Sequence, residues 1–175
     1  ISIFENVKNL SLNKMCYLMN KGQREVQDKQ LTDSLSQICG QLDSLDLSGD
    51  NSFGLCDRVF VCLARFSTQL TVFNVSGCKI VFHNAIIRRF YFDNKDCWEE
   101  PSEYVFSFKV LMKFFQLNGS KLKVINFSNT KICKDHLYQL LGCDYLKSLE
   151  TLYIRNCIEL TENEVKKAKM LRPQM

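Results

Sequence analysis

Nine cysteines and two histidines are the side chains of this sequence with the most chemistry to offer. A cysteine beside a histidine can act as a nucleophile, and Cys/His sets at short spacing hold zinc. The cysteines stand at 16, 39, 56, 62, 78, 97, 133, 143 and 157. No C-x-x-C pair occurs among them, so the usual structural-zinc spacing is missing. An odd number cannot pair fully within one chain. Free cysteine behaves as a small hydrophobe and is among the most buried residue types. The set therefore reads as reduced core cysteines of a cytoplasmic or nuclear protein. His83 follows a strand turn and His136 opens a helix, which are positions of surface or cap histidines. No G-x-S-x-G, H-E-x-x-H or phosphate-cradling glycine loop is present. Asp43, Asp46 and Asp50 lie close together, but the other strands add no carboxylate ring that would hold a cation. We expect no catalytic residue, no metal and no cofactor, and a cysteine-dependent enzyme is the last of the alternatives.

The elements that position these residues follow from self-similarity. Four segments align without gaps: Leu42 to Asp50, Leu70 to Cys78, Leu122 to Thr130 and Leu149 to Cys157. Each reads L-x-x-L-x-L-x-x-(C/N/T/D), with apolar residues at the three key places. The motifs start 28, 52 and 27 residues apart, and 52 is close to two repeats of about 26. A weaker copy is formed by Val7, Leu10 and Leu12, followed by Cys16. The last two apolar positions of the motif are two apart, so they point the same way on a strand with one buried face. One such strand has no core of its own, and stacking the units buries a continuous apolar column.

Between strands the spacing turns helical. Leu31, Leu35, Ile38 and Cys39 form one stripe, ended by Gly40. Val59, Phe60, Leu63 and Phe66 form a second, and Leu137, Leu140 and Leu141 a third. Val165, Ala168 and Leu171 form the last, opened by the capping-box pattern Thr161 to Glu164. A helix is also predicted from Ser102 to about Gln116, burying Val105, Phe108, Leu111, Met112 and Phe115. Strands are expected near 7–12, 42–47, 70–75, 122–127 and 149–154, with a degenerate one near 87–92 and an insertion near 93–101.

This pattern resembles the leucine-rich repeat family, in its long ribonuclease-inhibitor-like or cysteine-containing type. The resemblance runs from about residue 7 to 170. It implies an α/β solenoid, a horseshoe arc with short parallel strands on the concave face and helices on the convex face. It also implies one domain, 1–175, of five to six repeats. Cys78 and Cys157 hold the ninth place of the motif, where such repeats carry Cys or Asn, while Asp50 and Thr130 depart from it. The closing unit looks most like the cysteine-containing subclass common in F-box substrate receptors. Ser11 to Cys16 resembles the start of an elongin-binding box, with Asn20 where that pattern has an aliphatic residue. The other reading makes Leu10, Leu12 and Cys16 part of the first repeat.

Composition narrows the partners. Hydrophobic residues are 46% of the 175-residue chain and charged residues 24%, which excludes a disordered or collagen-like chain. The longest apolar run, about Val59 to Ala64, is far short of the roughly 20 residues that span a bilayer. Net charge is +4, and the densest basic cluster is Lys166, Lys167 and Lys169 at a helix end, so neither nucleic acid nor membrane is expected as a partner. The first residue is Ile1, which reads as a fragment or a processed chain. A non-enzymatic protein–protein interaction module is therefore expected, binding a protein on the concave face. The register places Asp43, Asp46, Thr71, Asn74, Lys123, Asn126, Glu150, Tyr153 and Arg155 there. Tyr153 and Arg155 are residue types enriched at binding hot spots. The alternative is the substrate-recognition part of a ubiquitin-ligase adaptor, with ligase components as partners. The aromatics Phe90, Tyr91, Phe92 and Trp98 make a second candidate surface.

Overall fold

A computed structural model describes residues 7–12, 32–49, 57–67, 69–80 and 107–172. Five three-residue strands carry the architecture: β1 (Asn9–Ser11), β2 (Ser44–Asp46), β3 (Val72–Asn74), β4 (Val124–Asn126) and β5 (Thr151–Tyr153). They form one sheet in sequence order, and every neighbouring pair is parallel. Consecutive parallel strands need a crossover, and the described crossovers are helical. The helices are α1 (residues 32–38), α2 (Asp57–Phe66), α3 (Phe108–Asn118), α4 (Lys134–Gly142) and α5 (Glu162–Lys169). The expected strand near 87–92, the insertion near 93–101 and the cluster Phe90, Tyr91, Phe92 and Trp98 lie outside the described residues, as do His83 and Cys16.

The register matches equivalent motif positions. Leu10, Leu45, Phe73, Ile125 and Leu152 stand opposite one another along the sheet. In the three inner strands this central residue is fully buried, while its two neighbours are only half-buried. The central residue faces the helices. The Phe73 ring meets Phe60 of α2 at 6.0 Å edge-on, and Phe114 and Phe115 of α3 at 5.3 and 6.2 Å. Edge-to-face contacts of this kind add to the apolar burial that holds the layers together.

Short strands gain length from their exits. Leu47 N–H donates to the Asn74 carbonyl at 2.8 Å, Val75 N–H to Asn126 at 3.0 Å, and Phe127 N–H to Tyr153 at 2.8 Å. The chain then turns through a left-handed residue, Gly49 (φ 116°), Gly77 (φ 73°), Asn129 (φ 59°) or Asn156 (φ 56°). All four occupy the eighth place of the motif, and glycine and asparagine are the residues that tolerate this conformation. One place later the side chain bonds backward. Cys78 Sγ donates to the Leu47 carbonyl at 3.1 Å, and Cys157 Sγ to the Phe127 carbonyl at 3.4 Å, each in the preceding unit. Thr130 Oγ1 donates to the Phe127 carbonyl of its own unit at 2.7 Å. Cysteine and threonine thus satisfy the same kind of buried acceptor by different routes.

The helices differ from expectation in detail. α3 begins six residues later than predicted, at Phe108, because Ser107 is its N-cap: its hydroxyl accepts the Val110 N–H at 3.3 Å. Val110 and Phe114 join Phe108, Leu111 and Phe115 in the core, while Met112 is half-buried. In α2, Phe66 is 44% exposed and the run Phe60 to Ala64 is buried instead. α2 packs against both the sheet and α3, so burial spreads beyond one stripe. Leu171 is likewise 51% exposed, beyond the end of α5. Leu137, Leu140 and Leu141 are buried as the spacing requires.

The α5 capping box is present. Thr161 Oγ1 accepts the Glu164 N–H at 3.3 Å, and the Glu164 carboxylate accepts the Thr161 N–H at 2.8 Å and its hydroxyl at 2.9 Å. The Thr161 backbone bond, and then its hydroxyl bond, hold the Glu164 carboxyl below its ordinary pKa. A depressed folded-state pKa gives stabilisation that is present above the unfolded value and lost as pH falls through the folded one. We expect a carboxyl titration of Glu164, followed by NMR, to have its midpoint below that of a free glutamate. Replacing Glu164 by glutamine should remove that part of the acid-side dependence of α5. A midpoint at or above the free value would contradict the cap.

Candidate functional site

Every described strand presents its non-core side chains on the sheet face away from α2 and α3. Three rows cross that face. The first row precedes the strands: Lys8, Asp43, Thr71, Lys123 and Glu150. Its members are tied through backbone bonds, Thr71 N–H to Asp43 at 2.9 Å, Lys123 N–H to Thr71 at 2.8 Å and Glu150 N–H to Lys123 at 2.8 Å. The second row is Asn9, Ser44, Val72, Val124 and Thr151, and the third is Ser11, Asp46, Asn74, Asn126 and Tyr153.

The first row carries most of the charge, with Asp46 of the third row the exception. Lys123 Nζ stands 2.9 Å from the Glu150 carboxylate, and Lys8 Nζ 4.0 Å from Asp43. All four side chains are at least half exposed. Such pairs add little to stability, and their charges remain available to a partner. Thr71 is more committed, since its hydroxyl donates to the Asp43 carbonyl at 3.0 Å.

The third row divides into two kinds of residue. Asp46 Oδ1 accepts the Ser48 N–H at 2.8 Å, Asn74 Oδ1 the Ser76 N–H at 3.0 Å, and Asn126 Oδ1 the Ser128 N–H at 2.9 Å. These are Asx turns that steer the chain out of each strand. Three of the sequence-assigned surface residues therefore shape the scaffold as well as facing outward. Tyr153 occupies the same place in β5 and is 44% exposed. Arg155 is exposed two residues later. Its backbone is fixed, the N–H donating to Ser128 Oγ at 3.1 Å and the carbonyl accepting the Asn129 N–H at 2.8 Å. Beside it, Asn156 Nδ2 donates to Asn129 Oδ1 at 3.1 Å, which locks the last two turns together.

The structure thus brings Lys123, Asn126, Glu150, Tyr153 and Arg155 onto adjoining strands β4 and β5 and their flanks. Asp43, Asp46, Thr71 and Asn74 lie on β2, β3 and the residues before them. Lys8, Asn9 and Ser11 extend the face and were missed by the sequence reading. Their signal was available, because Lys8 precedes β1 by the same step as Asp43 precedes β2.

Polar chemistry elsewhere is structural in its contacts. Fully buried Asp57, in the first turn of α2, accepts the Ser107 N–H at 2.8 Å and its hydroxyl at 3.0 Å. This clasp joins the N-termini of α2 and α3, where the helix dipoles favour a carboxylate. Cys39 and Cys62 are both buried, and Cys62 Sγ donates to the Thr32 carbonyl at 3.4 Å. The neighbouring Cys62 thiol, with burial second, pushes the Cys39 thiol up, and the same pairing lowers Cys62. A cleft of about 660 Å³ opens at the β5 edge, lined by Ile154, Cys157, Leu160, Val165 and Lys169. Among the described residues no three His, Cys, Asp or Glu side chains gather as a metal site, and no helix is long and apolar enough to cross a membrane. No protein-family model matches the chain, and no curated protein matches it in sequence.

Proposed function

We propose that this chain is a leucine-rich-repeat solenoid that binds a protein partner, without catalysis, on the open face of its sheet. The strands then line the concave side of an arc and the helices its convex side. The observation that carries this reading is the in-order parallel sheet whose aligned rows place equivalent residues of each unit side by side. Such a face offers many small contacts and a few anchors. Tyr153 and Arg155 are the anchors, supported by Thr151 and by the Lys123–Glu150 pair. The half-buried Val72 and Val124 supply an apolar strip between the charged row and the Asx row.

The test is affinity capture from cell extract with the unmodified chain, a Tyr153→Ala/Arg155→Ala variant, and a Glu162→Ala/Lys166→Ala variant on α5. We expect a partner held by the unmodified chain to be lost at least about tenfold with the first variant and kept with the second, since paired hot-spot truncations cost more than about 2 kcal/mol. Equal recovery with both variants would remove the sheet face as the site. Cullin or elongin components among the captured proteins would assign the module to a ubiquitin-ligase adaptor.

A further inference from the structure

We propose that the two edges of the sheet are complementary, and that a second copy of this chain adds its β1 edge to the β5 edge, head to tail. Among the described residues β1 and β5 are the outermost strands. The apolar column is unfinished at both ends. Leu45, Phe73 and Ile125 are fully buried at the central strand position, but Leu10 and Leu152 are only half-buried. Two residues on, Leu47, Val75 and Phe127 are fully buried, but Leu12 and Ile154 are half-buried. Each inner unit is covered by a neighbour on either side, and among the described residues each end unit has a neighbour on one side only.

The backbones of the two edges match donor to acceptor. At every described step the residue after one strand donates to the last residue of the next, as Leu12 N–H does to the Asp46 carbonyl at 2.7 Å and Phe127 N–H to Tyr153 at 2.8 Å. One carbonyl before each strand also accepts two N–H groups from the next unit. Lys8 accepts from Asp43 and Ser44 at 2.8 and 3.1 Å, and Lys123 from Glu150 and Thr151 at 2.8 and 2.9 Å. By the same rule Ile154 N–H reaches the Ser11 carbonyl of the second copy, and the Glu150 carbonyl takes that copy's Lys8 and Asn9 N–H groups. A sixth strand thus joins in parallel and in register, with Leu10 opposite Leu152 and Leu12 opposite Ile154.

Charge and shape select this occupant. The first row pairs Lys8 with Asp43 and Lys123 with Glu150, so the row begins on a cation and ends on an anion. A second copy in register brings Lys8 against Glu150, opposite charges on neighbouring strands. The β5 edge also opens into the cleft of about 660 Å³, which Ile158, 92% exposed, helps to line. Covering this edge with Leu10 and Leu12 takes apolar surface of both copies out of water. The two copies use different surfaces, so the contact does not close on itself and mass grows with concentration. The open face of the sheet stays free and is lengthened. The proposal rests on the strand register and not on the binding reading above.

The experiment is sedimentation equilibrium of the full chain from micromolar to near-millimolar concentration, with circular dichroism to show that each variant is folded. We expect the average mass to rise with concentration past that of a dimer. Ile158→Asp changes a side chain that the fold leaves in solvent and sets a charge at the apolar contact. It should raise the concentration needed for association at least about tenfold. Glu150→Lys sets a like charge against Lys8 and should weaken association, and Lys8→Glu/Glu150→Lys should restore it. A chain that stays monomeric throughout would overturn the proposal and leave the β5 edge to an extended segment of another protein. Association that stops at a dimer, that ignores Ile158→Asp, or that the double variant fails to restore would overturn the head-to-tail contact in favour of another surface.

Discussion

Replacing Phe73 by alanine is expected to destabilise the fold by about 4 kcal/mol, the largest single-residue effect we predict. Phe73 is the central residue of the central strand and is fully buried. Its ring meets Phe60, Phe114 and Phe115, which belong to two different helices. Truncation removes the transfer energy of the ring and leaves a cavity between β3, α2 and α3. Backbone relaxation closes it poorly, because parallel ladders hold β3 on both sides. Phe73→Leu keeps most of the volume and should cost only about 1 to 1.5 kcal/mol. Phe66→Ala is the contrast: the ring is 44% exposed, and its loss should cost about 1 kcal/mol or less. Urea unfolding with unchanged slope reads all three. If Phe73→Ala is unfolded without denaturant, the leucine variant carries the comparison with Phe66→Ala. Equal losses at Phe73 and Phe66 would mean that the helices do not pack on the sheet as described.

The contrast between these two phenylalanines shows how far sequence pattern reaches. Period-two spacing placed Leu45, Phe73 and Ile125 on the buried face, because a strand has only two faces and the turn fixes which is which. The turn itself was legible in outline, since Gly49, Gly77, Asn129 and Asn156 share one motif position and only such residues sit easily there. A helix wedged among neighbours has no such binary choice. In α2 five consecutive residues are buried and Phe66, on the predicted stripe, is not. The Asp57–Ser107 clasp joins residues 50 apart, and no local spacing announces it. On the candidate face the register located the residues, but it could not show that Asp46, Asn74 and Asn126 are engaged in turns. That distinction depends on side-chain bonds to a serine N–H two residues on, a pattern visible only once the strand ends are known.

Removal of Arg172 is expected to be the second-largest loss, about 3 kcal/mol for Arg172→Ala. This residue is 7% exposed, just past α5. Its Nε donates to the Leu141 carbonyl at 2.8 Å, while its two terminal nitrogens donate to the carbonyls of Leu146 and Cys143. Leu141 lies in the last turn of α4, Cys143 is its C-cap, and Leu146 ends the 3-10 turn that follows. One guanidinium thus satisfies carbonyls that the helix geometry leaves without intrahelical donors, at the helix end whose dipole favours a cation. It also ties the last helix to the unit before it. Lysine keeps the charge but presents a compact ammonium in place of a planar fork, so Arg172→Lys should recover less than half of the loss. Because the acceptors are backbone carbonyls, the effect should be insensitive to salt. An ion pair with a carboxylate would weaken on acidification and with added salt. Denaturant unfolding of the three proteins at two salt concentrations separates these cases. A loss below about 0.5 kcal/mol would mean that water replaces the guanidinium on those carbonyls and that the α4–α5 junction is held by apolar packing alone.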